Sequence, residues 1–215
     1  MEFTGVGNSS ESMVRGVGTI NGGAYKELNV DGVCNVMGDL EAESLDIDGV
    51  CTCTGNITAK ELDCDGVLTV SGSLRAGKAD IDGFVTVNGS KFEADRIDCD
   101  GLLNVEGEIS ADIIDADGVL NAREIVGDSI TIRSFWRNGF WGKLFRLDRT
   151  VGVKFSAVDL IEGTTVELRG VKAKSVSGHN VKIGKNCRID LVEASGDLYI
   201  HESAWVGEVA GRETV

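Results

Sequence analysis

The chain has 215 residues, a formal net charge of −14, no proline and only 6% aromatic residues. That charge excludes nucleic acid binding along most of the surface, because attraction to phosphate supplies most non-specific affinity. No run of 18 apolar residues occurs, so no transmembrane helix is predicted.

Residues 1–13 are rich in Gly, Ser and Glu and lack the apolar stretch of a signal peptide, so they read as a flexible tail. From Val14 the sequence becomes periodic. Asp-Gly recurs at Asp31-Gly32, Asp48-Gly49, Asp65-Gly66, Asp82-Gly83, Asp100-Gly101 and Asp117-Gly118, with a degenerate copy at Arg15-Gly16. The glycines are 17 residues apart except for one step of 18 and a first step of 16. A fixed period of this size marks a chain that winds into stacked units.

Columns follow from the alignment. Ile20, Val36, Cys53, Val70, Val87, Val105 and Ala122 stand four residues after the repeat glycine. Val30, Ile47, Cys64, Ile81, Cys99 and Ala116 stand two before it, and Ala24, Leu40, Ile57, Leu74 and Ile109 eight after. Within each run apolar and polar residues alternate, the period of a strand with one buried face. Glycines between the runs suit tight corners where φ is positive. The expected fold is therefore all-β: a parallel β-helix of about 17 residues per rung, regular over residues 14–132. In the 18-residue step Lys91 occupies an apolar position. A one-residue bulge that hands the interior to Phe92, Ala94 and Ile97 is expected there.

Asp46, Asp63, Asp80, Asp98 and Asp115, together with the Asp of each Asp-Gly, should point outward and form two carboxylate stripes. A solvated acidic edge is the reading preferred over cation binding, since no loop matches a calcium-binding pattern. Cys53, Cys64 and Cys99 share columns with Val and Ile, so they read as small hydrophobes in a reducing, cytoplasmic setting. Cys34 and Cys51 should be neighbours on adjacent rungs. Cys51 and Cys53 have ligand-like spacing but no second pair accompanies them, so no metal and no cofactor are expected.

The rhythm breaks over residues 133–150, a basic and aromatic stretch carrying four net positive charges, with −18 left for the rest of the chain. Asn138-Gly139 signals a hairpin turn. Two readings stay open for this insertion. It folds over the side of the rod with its cations on the acidic stripes, or it is a finger for an anionic membrane surface or a partner. In the second case Trp136, Arg137, Phe140, Trp141, Lys143 and Arg146 make the contact, and the rod would lie at the inner face of the membrane. Less regular coiling resumes over residues 151–209, with Val166, Val181 and Leu198 at equivalent places, and residues 210–215 form a tail.

Within that second part, Gly178 to Ile189 is similar to one rung of the hexapeptide-repeat acyltransferases, with His179 in the place of a catalytic histidine. The rung Leu62-Asp63-Cys64-Asp65-Gly66-Val67-Leu68-Thr69-Val70-Ser71-Gly72-Ser73-Leu74-Arg75-Ala76 resembles the bactofilins, bacterial polymer-forming cytoskeletal proteins. That resemblance implies a right-handed β-helix assembling end to end into nucleotide-independent filaments, often at membranes, with roles in cell shape, appendages or motility. It implies no enzymatic activity. The extra rungs and the basic insertion depart from the family pattern. Apolar residues of the terminal rungs are the candidate polymerisation interface: Val14, Val17 and Ile20 at one end, Trp205, Val206 and Val209 at the other. The alternatives are an acyltransferase or a monomeric binding rod that uses the insertion.

Overall fold

The computed structural model describes residues 11–134 and 156–210. The insertion residues Trp136, Arg137, Phe140, Trp141, Lys143 and Arg146 lie outside the described residues.

Every described element is a strand, and all strands pair in parallel within one 17-stranded sheet. The sheet winds into a β-solenoid of about ten turns. The regular unit is seen in β4 (Val50–Cys53) and β5 (Ile57–Cys64), repeated as β6 (Val67–Val70) and β7 (Leu74–Ile81). Asp-Gly joins each longer strand to the next short one. Strand β4 pairs with β6, and β5 with β7, so the ladder register equals the sequence period. Rungs about 4.8 Å apart give a rod on the order of 50 Å long.

The interior is a set of columns. Val36, Cys53, Val70 and Val87 are buried in one, and Ile47, Cys64, Ile81 and Cys99 in another. A further column was not singled out from the sequence. It runs Leu28, Leu45, Leu62, Ala79, Ile97, Ile114, Ile130, Val166 and Val181, and it crosses the insertion without a break. Stacking equivalent side chains fills a narrow core with little volume mismatch, which is how so few aromatic residues suffice.

Two departures from expectation have local causes. The 18-residue step behaves as foreseen: Phe92 pairs with Leu74, and Phe92, Ala94 and Ile97 are buried. The 16-residue step does not. The register shifts between Asn21 and Gly23, so Tyr25 pairs with Ala42 and turns inward, while the expected core residue Ala24 is exposed opposite Glu41. One missing residue flips the alternation, and the Tyr25 hydroxyl donates to the Asn21 carbonyl at 2.8 Å to satisfy its buried end. The repeat glycines also serve a different purpose from the one inferred. From Gly32 to Gly118 their φ values are not positive; only the degenerate first copy, Gly16, has a positive φ, as do Gly23, Gly38 and Gly170 outside the repeat position. A Cβ at Gly49, Gly66, Gly83 or Gly101 would instead overlap the carbonyl oxygen of the glycine one rung earlier. That oxygen accepts the next backbone N–H, as from Val67 to Gly49 at 2.8 Å and from Phe84 to Gly66 at 2.8 Å. Close approach, not handed backbone, demands glycine at the corner.

The insertion has a closed neck. Strand β12 (Val119–Arg133) ends the regular rungs and β13 (Ser156–Arg169) resumes them. Ser134 and Ser156 are the buried polar residues there, and their hydroxyls lie 2.5 Å apart. The Ser156 hydroxyl also accepts from Leu120 N at 3.0 Å, so both ends of the insertion are fixed to the ladder.

Val70 and Val87 are fully buried, whereas Thr69 sits on the outer face. We expect Val70→Asp or Val87→Asp to remove more than about 4 kcal/mol and abolish soluble folding, because each buries an unpaired charge. Thr69→Asp should leave the β-type circular dichroism spectrum and melting curve nearly unchanged. Equal losses from both kinds of variant would contradict the inward assignment.

Candidate functional site

The rod has two ends and several continuous faces, and the candidate residues are distributed among them. At the C-terminal end, β17 (Trp205–Ala210) pairs with β15 (Arg188–Ala194). Val209 stands in the column of Val192, yet it is 43% exposed where Val192 is fully buried. Val206 continues the column of Ile189 and is partly buried against the core. Trp205 lies elsewhere than the sequence suggested. It pairs with Arg188 on the outer face, and the guanidinium rests 4.6 Å from its ring centroid. It flanks the end instead of forming it. At the other end Val14 and Ile20 are buried, and Val17 is 69% exposed because it points sideways.

Val17 belongs to a feature the sequence reading missed. The residue after each repeat glycine is apolar, and it points outward. Val17, Val33, Val50, Val67, Phe84, Leu102 and Val119 pair one above another across seven rungs. Beside this apolar stripe runs a ladder of Thr19, Asn35, Thr52, Thr69, Thr86, Asn104 and Asn121. On its other flank stand the Asp-Gly carboxylates. The signal was present in the sequence: an apolar residue following Asp-Gly in every copy.

The acidic columns form as expected. Asp46, Asp63, Asp80, Asp98 and Asp115 pair in succession. Partial burial, and after it the neighbouring aspartates, push the carboxyls of Asp46, Asp63, Asp82 and Asp100 above their ordinary range. Cations relieve the crowding at intervals: Lys78 reaches Asp80 at 3.1 Å and Arg96 reaches Asp98 at 3.3 Å. Arg133 closes both columns, with Asp115 at 2.6 Å and Asp117 at 2.5 Å. Among the described residues no group of three or more His, Cys, Asp or Glu is placed to hold a metal ion.

His179 lines an open groove of about 680 Å³ together with Thr164, Glu162, Asp128 and Asp112. Its Nδ1 lies 3.0 Å from the Ser195 hydroxyl, and no carboxylate is hydrogen-bonded to the ring among the described residues. The strands around it follow the same ladder as the rest of the rod, with Lys172 opposite Arg188. The cysteines are buried and free. Burial raises the thiols of Cys64 and Cys99 to about 12. Cys34 and Cys51 are direct register partners, and the hydrogen bond to Cys34, followed by burial, pushes the Cys51 thiol upward.

Comparison with known proteins adds little to this geometry. No family model matches the chain, and no solved structure matches it. The chain is similar to the uncharacterized protein YhbE of Bacillus subtilis, at 50% identity over 48 residues. The match covers 22% of this chain and 20% of YhbE, so it spans about a fifth of that relative's length. No described helix is long and apolar enough to cross a membrane.

Two measurements test this description. The shifted carboxyls titrate higher folded than unfolded, so the folded chain binds more protons. Stability should rise as pH falls from neutral through the folded range, with the gain complete below the unfolded value near ~4. Asp63→Asn at pH 7 should stabilise by roughly 0.2–1 kcal/mol, the cost of like charges directly opposed. A melting temperature that falls steadily between neutral pH and ~5 would contradict the crowding. Under a mild thiol oxidant, peptide mapping should find a Cys34–Cys51 disulfide, since their Cα atoms stand about 4.8 Å apart. Cys64 and Cys99 have Ile81 between them in the ladder and should not bridge. A Cys64–Cys99 link would show the register to be wrong.

Proposed function

We propose that this chain is a structural scaffold whose rods add end to end into filaments without nucleotide. The observation that supports the reading is the C-terminal end, where Val209 is exposed in an otherwise buried column. Strand β17 has no pairing beyond β15 among the described residues. A free edge of backbone donors and acceptors above an apolar interior is a template for another strand. A second copy placed head to tail would continue the ladder and cover Val206 and Val209, and contacts of that kind repeat without closing. The resemblance of the rungs to bactofilins points the same way.

The reading is tested by negative-stain microscopy and light scattering of the purified full chain in nucleotide-free buffer. Filaments are expected, lengthening with concentration. Val209→Lys, at a position already half-exposed, should leave the fold intact and weaken each contact by on the order of 2 kcal/mol, about thirtyfold in affinity. It should yield short species. Trp205→Ala should matter less, since that ring faces sideways. Wild-type protein that stays monomeric across concentration and salt would refute the reading.

A further inference from the structure

The outward apolar stripe ends where the basic aromatic insertion begins. Ile132 pairs with Ala116, so Ser134 falls in line with Gly118. Ala157 pairs with Asn121, so Ser156 falls in line with Leu120. The chain between them, residues 135–155, therefore stands in the place of one residue, the one aligned with Val119. That place is the next position of the stripe. In the following rung Gly170 is joined directly to Val171, and the column has no member. The stripe exists only on the side of the neck that leads back to Val17.

We propose that residues 135–155 of the same chain are the occupant of this stripe, lying back along the rod over Val119, Leu102, Phe84, Val67 and Val50.

Reach, chemistry, charge and area favour that occupant. The segment has 21 residues with both ends tied at the serine neck, so an out-and-back path extends at most about 35 Å. Six ladder steps from Val119 to Val17 span about 29 Å. The segment carries Phe135, Trp136, Phe140, Trp141, Phe145 and Phe155, a supply of rings suited to an aliphatic surface. Its five cations against one carboxylate match the aspartates that stand two residues before every member of the stripe from Val33 to Val119, Arg15 taking that place before Val17. Exposure is greatest at Val17, at 69%, level across Val33, Val50, Val67 and Phe84, and least at Val119 beside the neck, at 5%.

A second copy of the chain is the weaker occupant. A stripe about 29 Å long and about 10 Å wide offers roughly 300 Å² per partner, well under the about 800 Å² of a stable interface. A segment tethered at both ends loses far less freedom on docking than a separate molecule does, so a small surface suffices.

A photo-crosslinking residue, p-benzoylphenylalanine, placed at Val67 of the full chain tests the assignment. Irradiation of dilute protein should give an intrachain product whose crosslinked peptide maps to residues 135–155. In a Trp205→Phe background, Trp136 and Trp141 report directly. Phe84→Asp and Val67→Asp, both outward changes, should shift their emission to the red and increase quenching by iodide, with the β-type circular dichroism spectrum unchanged. Phe84→Leu should restore the wild-type emission. The proposal is overturned if the crosslink joins two chains or falls outside 135–155. It is overturned equally if the emission ignores Val67→Asp and Phe84→Asp, or shifts only when phosphatidylserine vesicles are added. Loss of filaments in Val209→Lys bears on assembly and leaves this test untouched.

Discussion

The ladder between rungs sets every other property of this molecule. Each backbone donor in a strand finds its acceptor about 17 residues away, so strand position, side-chain direction and corner chemistry must all recur at that interval. The glycine corner is the tightest expression of the constraint. A carbonyl from one rung must accept the N–H of the next, and no side chain fits between them. Once that corner repeats, identical columns inside and identical stripes outside follow without further instruction.

Repetition brings a cost in charge. Stacked aspartates repel along each column, and the shifts at Asp46, Asp63, Asp82 and Asp100 record it. The same stripes keep a long surface of strands from pairing sideways, which apolar or neutral columns would permit. Arg133 marks where this regime stops. It takes a carboxylate from each of the two columns, and the rungs beyond it carry paired charges of both signs, such as Lys182 with Glu167 and Lys174 with Asp159. The rod therefore has an acidic part and a balanced part, divided at the insertion.

The legible parts of the sequence were those where one rule repeats. Six copies of Asp-Gly and a degenerate Arg15-Gly16 fixed the pitch, and the columns containing Val70 and Ile81 were assigned inward by alternation alone. The one-residue slip before Phe92 was visible because Lys91, a charged residue, broke a clean pattern. Ala24 was misplaced because a deletion leaves no odd residue behind; only the partner strand reveals that Tyr25 has taken its position. Trp205 was assigned to the end by its size, but the alternation of β17 turns it outward against Arg188. The apolar stripe escaped notice because its members resemble core residues in composition, and which face they occupy depends on the parity of the count from the glycine. Sequence could not show that Ser134 and Ser156 meet, since their contact spans the interruption itself.

The meeting of those two serines separates the rod from whatever lies between them. Their hydroxyls and the bond from Leu120 restore the ladder within a single step, and the leucine–isoleucine column passes the site unbroken. A loop anchored in this way pays for added length only logarithmically, roughly 0.6 kcal/mol for each doubling. The winding half and the inserted half can therefore change independently. One supplies a spacing along an axis, and the other can be exchanged for a different sequence, or a whole guest domain, without retuning a single rung. A filament built from such rods would display its guest at a regular interval, fixed by the number of rungs and indifferent to what is displayed.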